Sequence, residues 1–229
     1  MIQKLFALSL MPVNPMQFSL TEFRSYLAGK LGEYMTLHKD NKTGFVYRYP
    51  VLQCKQIKNT FITLGIAQGA DFLFEHTREL KEISQGSAAC TILERDTAIR
   101  PEEFGIGTPQ TYEFLTPWLA LNQQNAKKFY TLKGKIERDA FMHRILTDNL
   151  EMLAKSLDYN LPEQIMCEAK IRFRIDRIER ENMIVFLGRF RTNLMIPDYF
   201  GIGRSVSQGF GTIRRIPDIP VPEDEANRE

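Results

Sequence analysis

Phe200-Gly201-Ile202-Gly203-Arg204-Ser205-Val206-Ser207-Gln208-Gly209-Phe210-Gly211 is the stretch that decides the fold. Its glycines permit positive φ and remove the Cβ that would hold a backbone away from a neighbour. Successive N–H groups of Gly201, Gly203, Gly209 and Gly211 could then face an anion, with Arg204, Ser205 and Ser207 adding side-chain donors. No Gly-Lys-Ser/Thr follows, so this is not a Walker loop. The glycine spacing is wrong for a dinucleotide fingerprint, and a strand, not a helix, comes next. The loop joins two strands, Met183–Met195 and Phe210–Ile216, and an ordinary glycine-rich connection remains the alternative reading.

Upstream of the loop, Ala169–Ile178 reads as another strand, and two helical stretches precede it, near Asn122–Leu132 and Arg138–Leu157. The second places Ile145, Leu146, Leu150, Leu153 and Leu157 on one broad face. Tyr112–Leu115 opens this second half. In the first half, Lys4–Leu10 reads as a strand. Ser19 and Glu22 form a capping box ahead of a helix over 20–34. Strand pieces at 45–49 and 51–57 follow, then a turn at Lys58-Asn59 and a strand at Thr60–Ile66. A helix over Gln68–Leu80 and a strand over Ile83–Arg100 complete it. Strand, helix, strands, helix, strand is a ferredoxin-like order. The expected fold is therefore α+β, two tandem ferredoxin-like (RNA-recognition-like) domains with a C-terminal glycine-rich loop. Prolines and glycines between Pro101 and Pro109 put the boundary there, giving domains at 1–108 and 109–217 and an acidic, proline-rich tail at 218–229.

The chain has 229 residues and a net charge of +2. The charge is not evenly spread. Residues 170–215 hold ten Lys/Arg and four Asp/Glu, a local +6; residues 216–229 hold one Arg and five acids, −4; residues 1–169 sum to zero. A concentrated basic segment is the electrostatic footprint expected for phosphate. In Lys170-Ile171-Arg172-Phe173-Arg174-Ile175 cations alternate with apolar residues, so Lys170, Arg172 and Arg174 share one strand face. Arg189 and Arg191 repeat the pattern around Phe190. With almost no acids expected on those faces, they read as a phosphate-binding surface rather than a merely solvated one. Cys54, Cys90 and Cys167 are too scattered for a zinc site or a disulfide framework, and a reducing, cytoplasmic setting is expected. No apolar run approaches the ~18 residues of a membrane span. Neither H-E-x-x-H nor G-x-S-x-G occurs, so neither metal nor cofactor is expected.

Gly-Ile-Gly-Arg followed after four residues by Gly-Phe-Gly-Thr-Ile resembles the signature loop of the RAMP superfamily of CRISPR-associated RNA-binding proteins. Two further stretches resemble its repeat-processing endoribonucleases: Tyr47-Arg48-Tyr49-Pro50-Val51-Leu52-Gln53-Cys54-Lys55, and Phe114-Leu115-Thr116-Pro117-Trp118-Leu119-Ala120-Leu121-Asn122. The resemblance implies cleavage of CRISPR precursor RNA within its repeats by metal-independent 2′-OH attack, leaving a 2′,3′-cyclic phosphate. It implies that the loop supports and contacts the RNA backbone. It also leaves room for a homodimer and for other CRISPR-associated partners.

Only three histidines are present, His38, His76 and His143. His38 follows the first helix in a polar stretch, and imidazole moves a proton in either direction near neutral pH. A lone loop histidine is by itself an ordinary surface residue; the resemblance implies that His38 is catalytic. Some relatives carry a second histidine two residues later, where Asp40 stands here. Tyr47 is either a strand aromatic or a helper that orients the 2′-OH. Lys55 is either part of a solvated strand face or a stabiliser of charge on the phosphorane. His76 and His143 fall in helices and read as structural. The alternative function is a catalytically inactive RAMP-type RNA-binding subunit of a CRISPR ribonucleoprotein.

Overall fold

The computed structural model describes residues 1–12, 19–31, 49–77, 82–85, 88–178 and 180–217. In the N-terminal half the elements are β1 (Ile2–Pro12), α1 (Leu20–Leu31), β2 (Leu52–Ile57), β3 (Thr60–Ile66), α2 (Gln68–Thr77), β4 (Glu82–Gln85) and β5 (Ala88–Glu103). The C-terminal half contains β6 (Gly105–Phe114), α3 (Gln123–Thr131), α4 (Lys135–Ser156), β7 (Cys167–Ile178), β8 (Glu181–Met195) and β9 (Ile213–Ile216).

The capping box forms as its spacing predicts. Ser19 N–H donates to Glu22 Oε2 at 2.7 Å, and Glu22 N–H donates to Ser19 Oγ at 3.2 Å. Likewise, the Asn122 side chain accepts from Asn125 N–H at 2.7 Å and starts α3. The long face of α4 is buried through Phe141, Met142, Ile145, Leu146, Leu150, Leu153 and Ala154.

Two antiparallel sheets result, ordered β2-β3-β1-β5-β4 and β7-β8-β6-β9. With the short β4 hairpin set aside, both have the ferredoxin order, so the fold is α+β with two tandem ferredoxin-like units. The second unit carries two helices, α3 and α4, in its first crossover and differs again in its second. Where a second helix would lie between its last two strands, the chain runs as an extended loop, with one 3-10 turn at Val206–Gln208.

The passage between halves is tighter than a proline- and glycine-bearing segment suggests. Pro101 lies inside β5 and Pro109 inside β6, separated only by buried Phe104 as the break between strands. Pro101 is tolerated because β5 pairs there with β1 alone, so its nitrogen can face the open side. Pro109 falls where the β6–β8 register shifts between Ile106 and Gln110, a bulge that needs no donor. A buried core joins C-terminal residues such as Trp118, Phe186, Phe200 and Ile202 to Leu5, Tyr49, Leu64 and Ile66 of the N-terminal half.

Candidate nucleic-acid interface

The three stretches singled out in the sequence meet at one place. The glycine loop lies between β2 and the segment Thr116–Asn122. From the β2 side, Tyr49 Oη accepts from Gly203 N–H at 2.8 Å, and Gln53 Oε1 accepts from Gly201 N–H at 2.9 Å. Lys55 Nζ donates to the same Gln53 oxygen at 2.8 Å and to the Val206 carbonyl at 3.3 Å. From the other side, Pro117 O accepts from Gly211 N–H at 2.8 Å and Leu119 O from Arg204 N–H at 3.0 Å. Thr116 Oγ1 donates to Gly209 O at 2.7 Å and accepts from Thr212 N–H at 2.9 Å.

This geometry corrects the reading of the loop as an anion cradle. The N–H groups of Gly201, Gly203, Gly209 and Gly211 are all spent on protein acceptors, the third on Val206 O at 3.1 Å. The glycines serve close approach instead. A Cβ on Gly203, whose φ is +91°, would meet Trp118 Nε1 at 2.5 Å; one on Gly201 would meet Lys55 Nζ at 2.8 Å. Arg204 is exposed but tethered, its guanidinium donating to Leu121 O at 2.9 Å. Ser205 and Ser207 are half-buried, and Ser205 adopts a positive φ of 54°.

The placement of Lys55 also differs from expectation. It is neither on a solvated strand face nor open to a substrate phosphate, because its side chain is fully buried. Leu52 and Cys54 on one face of β2 pack into the N-terminal core. Gln53 and Lys55 on the other are covered by the glycine loop. Burial pushes the Lys55 ammonium down to about 7, against a smaller opposing effect of the neighbouring Cys54. Burial pushes the Cys54 thiol up to about 11. His38, Asp40 and Tyr47 lie outside the described residues.

The basic strands are where the sequence puts them, but their face is less purely cationic than expected. Lys170 of β7 stands opposite Arg189 of β8, which stands opposite Glu113 of β6, which stands opposite Arg214 of β9. Glu168 is opposite Arg191. Arg214 pairs with Glu113 at 2.6 Å, and Arg174 with Asp176 at 2.8 Å. The acids come from the next strand or from two residues along, so a count within one segment misses how they interleave. Lys170, Arg172 and Arg189 are exposed and make no ion pair among the described residues. On the opposite face of β7, Phe173 meets Phe129 edge-on at 5.2 Å and carries the Arg138 guanidinium at 5.7 Å.

His76 stacks on Phe72 in α2, and its Nδ1 lies 2.9 Å from the Phe72 carbonyl; His143 is exposed on α4. The roles of Tyr49 and Gln53 carry no local signal in the sequence, because their loop partners lie 154 and 148 residues away. The Nε of Arg24 in α1 is buried with no hydrogen-bond partner among the described residues. Among the described residues no group of three or more His, Cys, Asp or Glu gathers as metal ligands, and no helix is long and apolar enough to cross a membrane.

Two ferredoxin-like units clamped around a glycine loop define a Cas6-type, repeat-processing endoribonuclease of the RAMP superfamily. The Cas6b N-terminal domain family matches residues 1–103 and the Cas6b C-terminal domain family matches residues 105–216. The chain belongs to the Cas6b family. A crystal structure of Cas6b is 31% identical, with 94% of this chain and 100% of that one covered at a TM-score of 0.82. The crystal structure of a CRISPR RNA processing endoribonuclease Cas6b is 29% identical over the same shares, at a TM-score of 0.73. An uncharacterised protein of Methanocaldococcus jannaschii is 29% identical over 139 residues, 60% of this chain and 94% of that protein.

Proposed function

We propose that this protein cuts CRISPR precursor RNA within its repeats by metal-independent transesterification. The reading is carried by the match of both Cas6b domain families across residues 1–216. The ribose 2′-OH at the cut attacks the adjacent phosphorus, the bond to the 5′-oxygen breaks, and the products end in a 2′,3′-cyclic phosphate and a 5′-hydroxyl. His38 takes the 2′-OH proton or supplies one to the leaving oxygen. Tyr47 orients the 2′-OH. Lys55, given its burial, assists from behind by holding the glycine loop. Lys170, Arg172 and Arg189 bind repeat phosphates, with Arg174 and Arg191 flanking them, and Arg204, Ser205 and Ser207 offer donors from the loop.

Asp40, standing where some relatives carry a second histidine, favours one other reading: a RAMP-type subunit that holds repeat RNA without cutting it. Incubating a labelled cognate repeat with excess EDTA separates the two. Cutting by the wild type and its loss in His38→Ala supports the nuclease. Cutting that survives His38→Ala moves the proton transfer to another residue. Tight binding with no cutting makes the protein the RNA-holding subunit, and cutting abolished by EDTA overturns the metal-independent step.

A further inference from the structure

The second sheet leaves apolar side chains in water at one corner. β7 is an edge strand, paired with β8 alone. At its start the odd-numbered side chains join the core under the helices: Cys167 is buried, and Ala169 and Ile171 pack against that core. Further along the cover stops short, and on the same face Phe173 is 46% exposed and Ile175 58%. A strand end in water is ordinarily finished with charged or polar side chains. Single apolar residues on a surface mean little, but these two are neighbours on one face of an open edge. The ring is also held in place, with Phe129 edge-on at 5.2 Å and Phe186 at 6.4 Å.

Beside the ring sits a cation aimed by the backbone. Arg138 of α4 donates from Nε to the Leu132 carbonyl at 3.0 Å, with its guanidinium 5.7 Å from the Phe173 centroid and 5.4 Å from that of Phe129. Its terminal amino groups have no hydrogen-bond or ion-pair partner among the described residues. The neighbouring helical segment is basic as well. Residues 123–144 carry six Lys/Arg and two Asp/Glu, a local +4 that the zero sum over residues 1–169 conceals. Lys127, Lys128, Lys133, Lys135 and Arg144 are exposed and form no ion pair among the described residues. Positive charge therefore lies on the helix side of the second sheet too, across the β7 edge from Lys170 and Arg172.

We infer that Phe173, Ile175 and Arg138 form a subsite for one unpaired nucleobase of the bound RNA. Every base has a π-face, and an aromatic ring or a guanidinium plane stacks on it without reading its sequence. Ile175 extends the apolar floor, and the free amino groups of Arg138 suit the phosphate or base edge that arrives with the base. The open edge of β7 then serves a single strand on both sides: phosphates at Lys170 and Arg172 on one face, a stacked base at Phe173 on the other. Two apolar side chains among unpaired cations match a polyanion better than they match an apolar protein surface. The inference rests on the reading above that this chain binds repeat RNA, and it holds whether or not the chain cuts that RNA.

The test is an abasic scan. Cognate repeats are made in which each nucleotide outside a base pair is replaced in turn by its abasic form, which keeps the phosphate and removes the base. Affinities are measured for wild type, Phe173→Leu and Phe173→Tyr, each well below its melting temperature. One abasic position is expected to weaken wild-type binding about 5- to 50-fold, the range that stacking of a single base supports. Phe173→Leu should lose a similar factor on intact RNA and no more than about 2-fold further on that abasic RNA, since the same contact is removed twice. Phe173→Tyr keeps the ring and should bind within about 2-fold of wild type. The slope of log affinity against log salt should be unchanged in Phe173→Leu, because the ring neutralises no phosphate. A wild-type scan with no sensitive position would overturn the subsite without recourse to any variant. Equal affinity of Phe173→Leu and wild type, or losses that multiply rather than coincide, would overturn it as well and leave the patch as cover or as a protein contact. Wild type that binds without cutting overturns the nuclease reading alone, and wild type that binds no repeat overturns both.

Discussion

The two halves share a strand order but close their second crossover differently. In the N-terminal half α2 follows β3, satisfies its own backbone and buries Ala70 and Leu73 in its own core. In the C-terminal half residues 196–212 do that job without such a helix. Phe200, Ile202 and Val206 fill the core, but an irregular backbone has no internal ladder and must find acceptors elsewhere. It takes them from β2 on one side and from Thr116–Leu121 on the other. Giving up a helix makes the second half dependent on the first, and that dependence helps lock the halves together.

The largest effect is expected from crowding the loop. Gly203→Ala forces a Cβ against Trp118 Nε1 and Leu119 O at a φ of +91°. A loss of about 3 kcal/mol or more is expected in denaturant unfolding, from strain and overpacking together. A variant as stable as the wild type would mean the loop is not wedged.

A second prediction concerns Lys55, whose folded value near 7 lies below its ordinary 10.5. Above about pH 7 the unfolded chain holds a proton at this site that the folded one has released, so folding stability rises with pH. At lower pH both states are charged and the full burial penalty applies. Wild-type stability measured against Lys55→Met should therefore improve from pH 7 to 9. Above the ordinary thiol value of 9.0, raised Cys54 begins to pull the other way. A flat difference over pH 7–9 would contradict a buried ammonium.

Smaller effects are expected on the sheet face. Lys170→Ala and Arg189→Ala should each weaken RNA binding alike for cognate and scrambled repeats. Each should reduce the slope of log affinity against log salt by roughly 0.7–0.9. Arg214→Ala should do less, because Glu113 already holds that guanidinium. The smallest effect tests the independent half. A Cβ on Gly29 of α1 meets nothing within 4 Å, so Gly29→Ala should stabilise by about 0.5–1 kcal/mol.

Local signals read well from the sequence. The capping box at Ser19, the turn at Lys58-Asn59 and the apolar face of α4 all depend on neighbours within a few residues. The alternation in β7 was equally legible. What escaped the sequence was long-range. That Lys55 is buried depends on a loop about 150 residues away covering the second face of β2, where alternation alone implies solvent. That the loop's N–H groups face Tyr49 and Gln53 rather than an anion is invisible in a run of glycines. That Glu113 and Glu168 interrupt the basic face depends on the register of neighbouring strands. The prolines at 101 and 109 looked like a linker because the edge position and the bulge that accommodate them are properties of the sheet.

The most direct measurement maps the wild-type cut in a cognate repeat and then replaces only the ribose whose 2′-OH would attack with 2′-deoxyribose. The account predicts that this RNA binds with unchanged affinity, is not cut, and that the all-ribose RNA ends in a 2′,3′-cyclic phosphate. Cleavage of the deoxy-substituted RNA at the same bond, or a 3′-hydroxyl on the wild-type product, would contradict it.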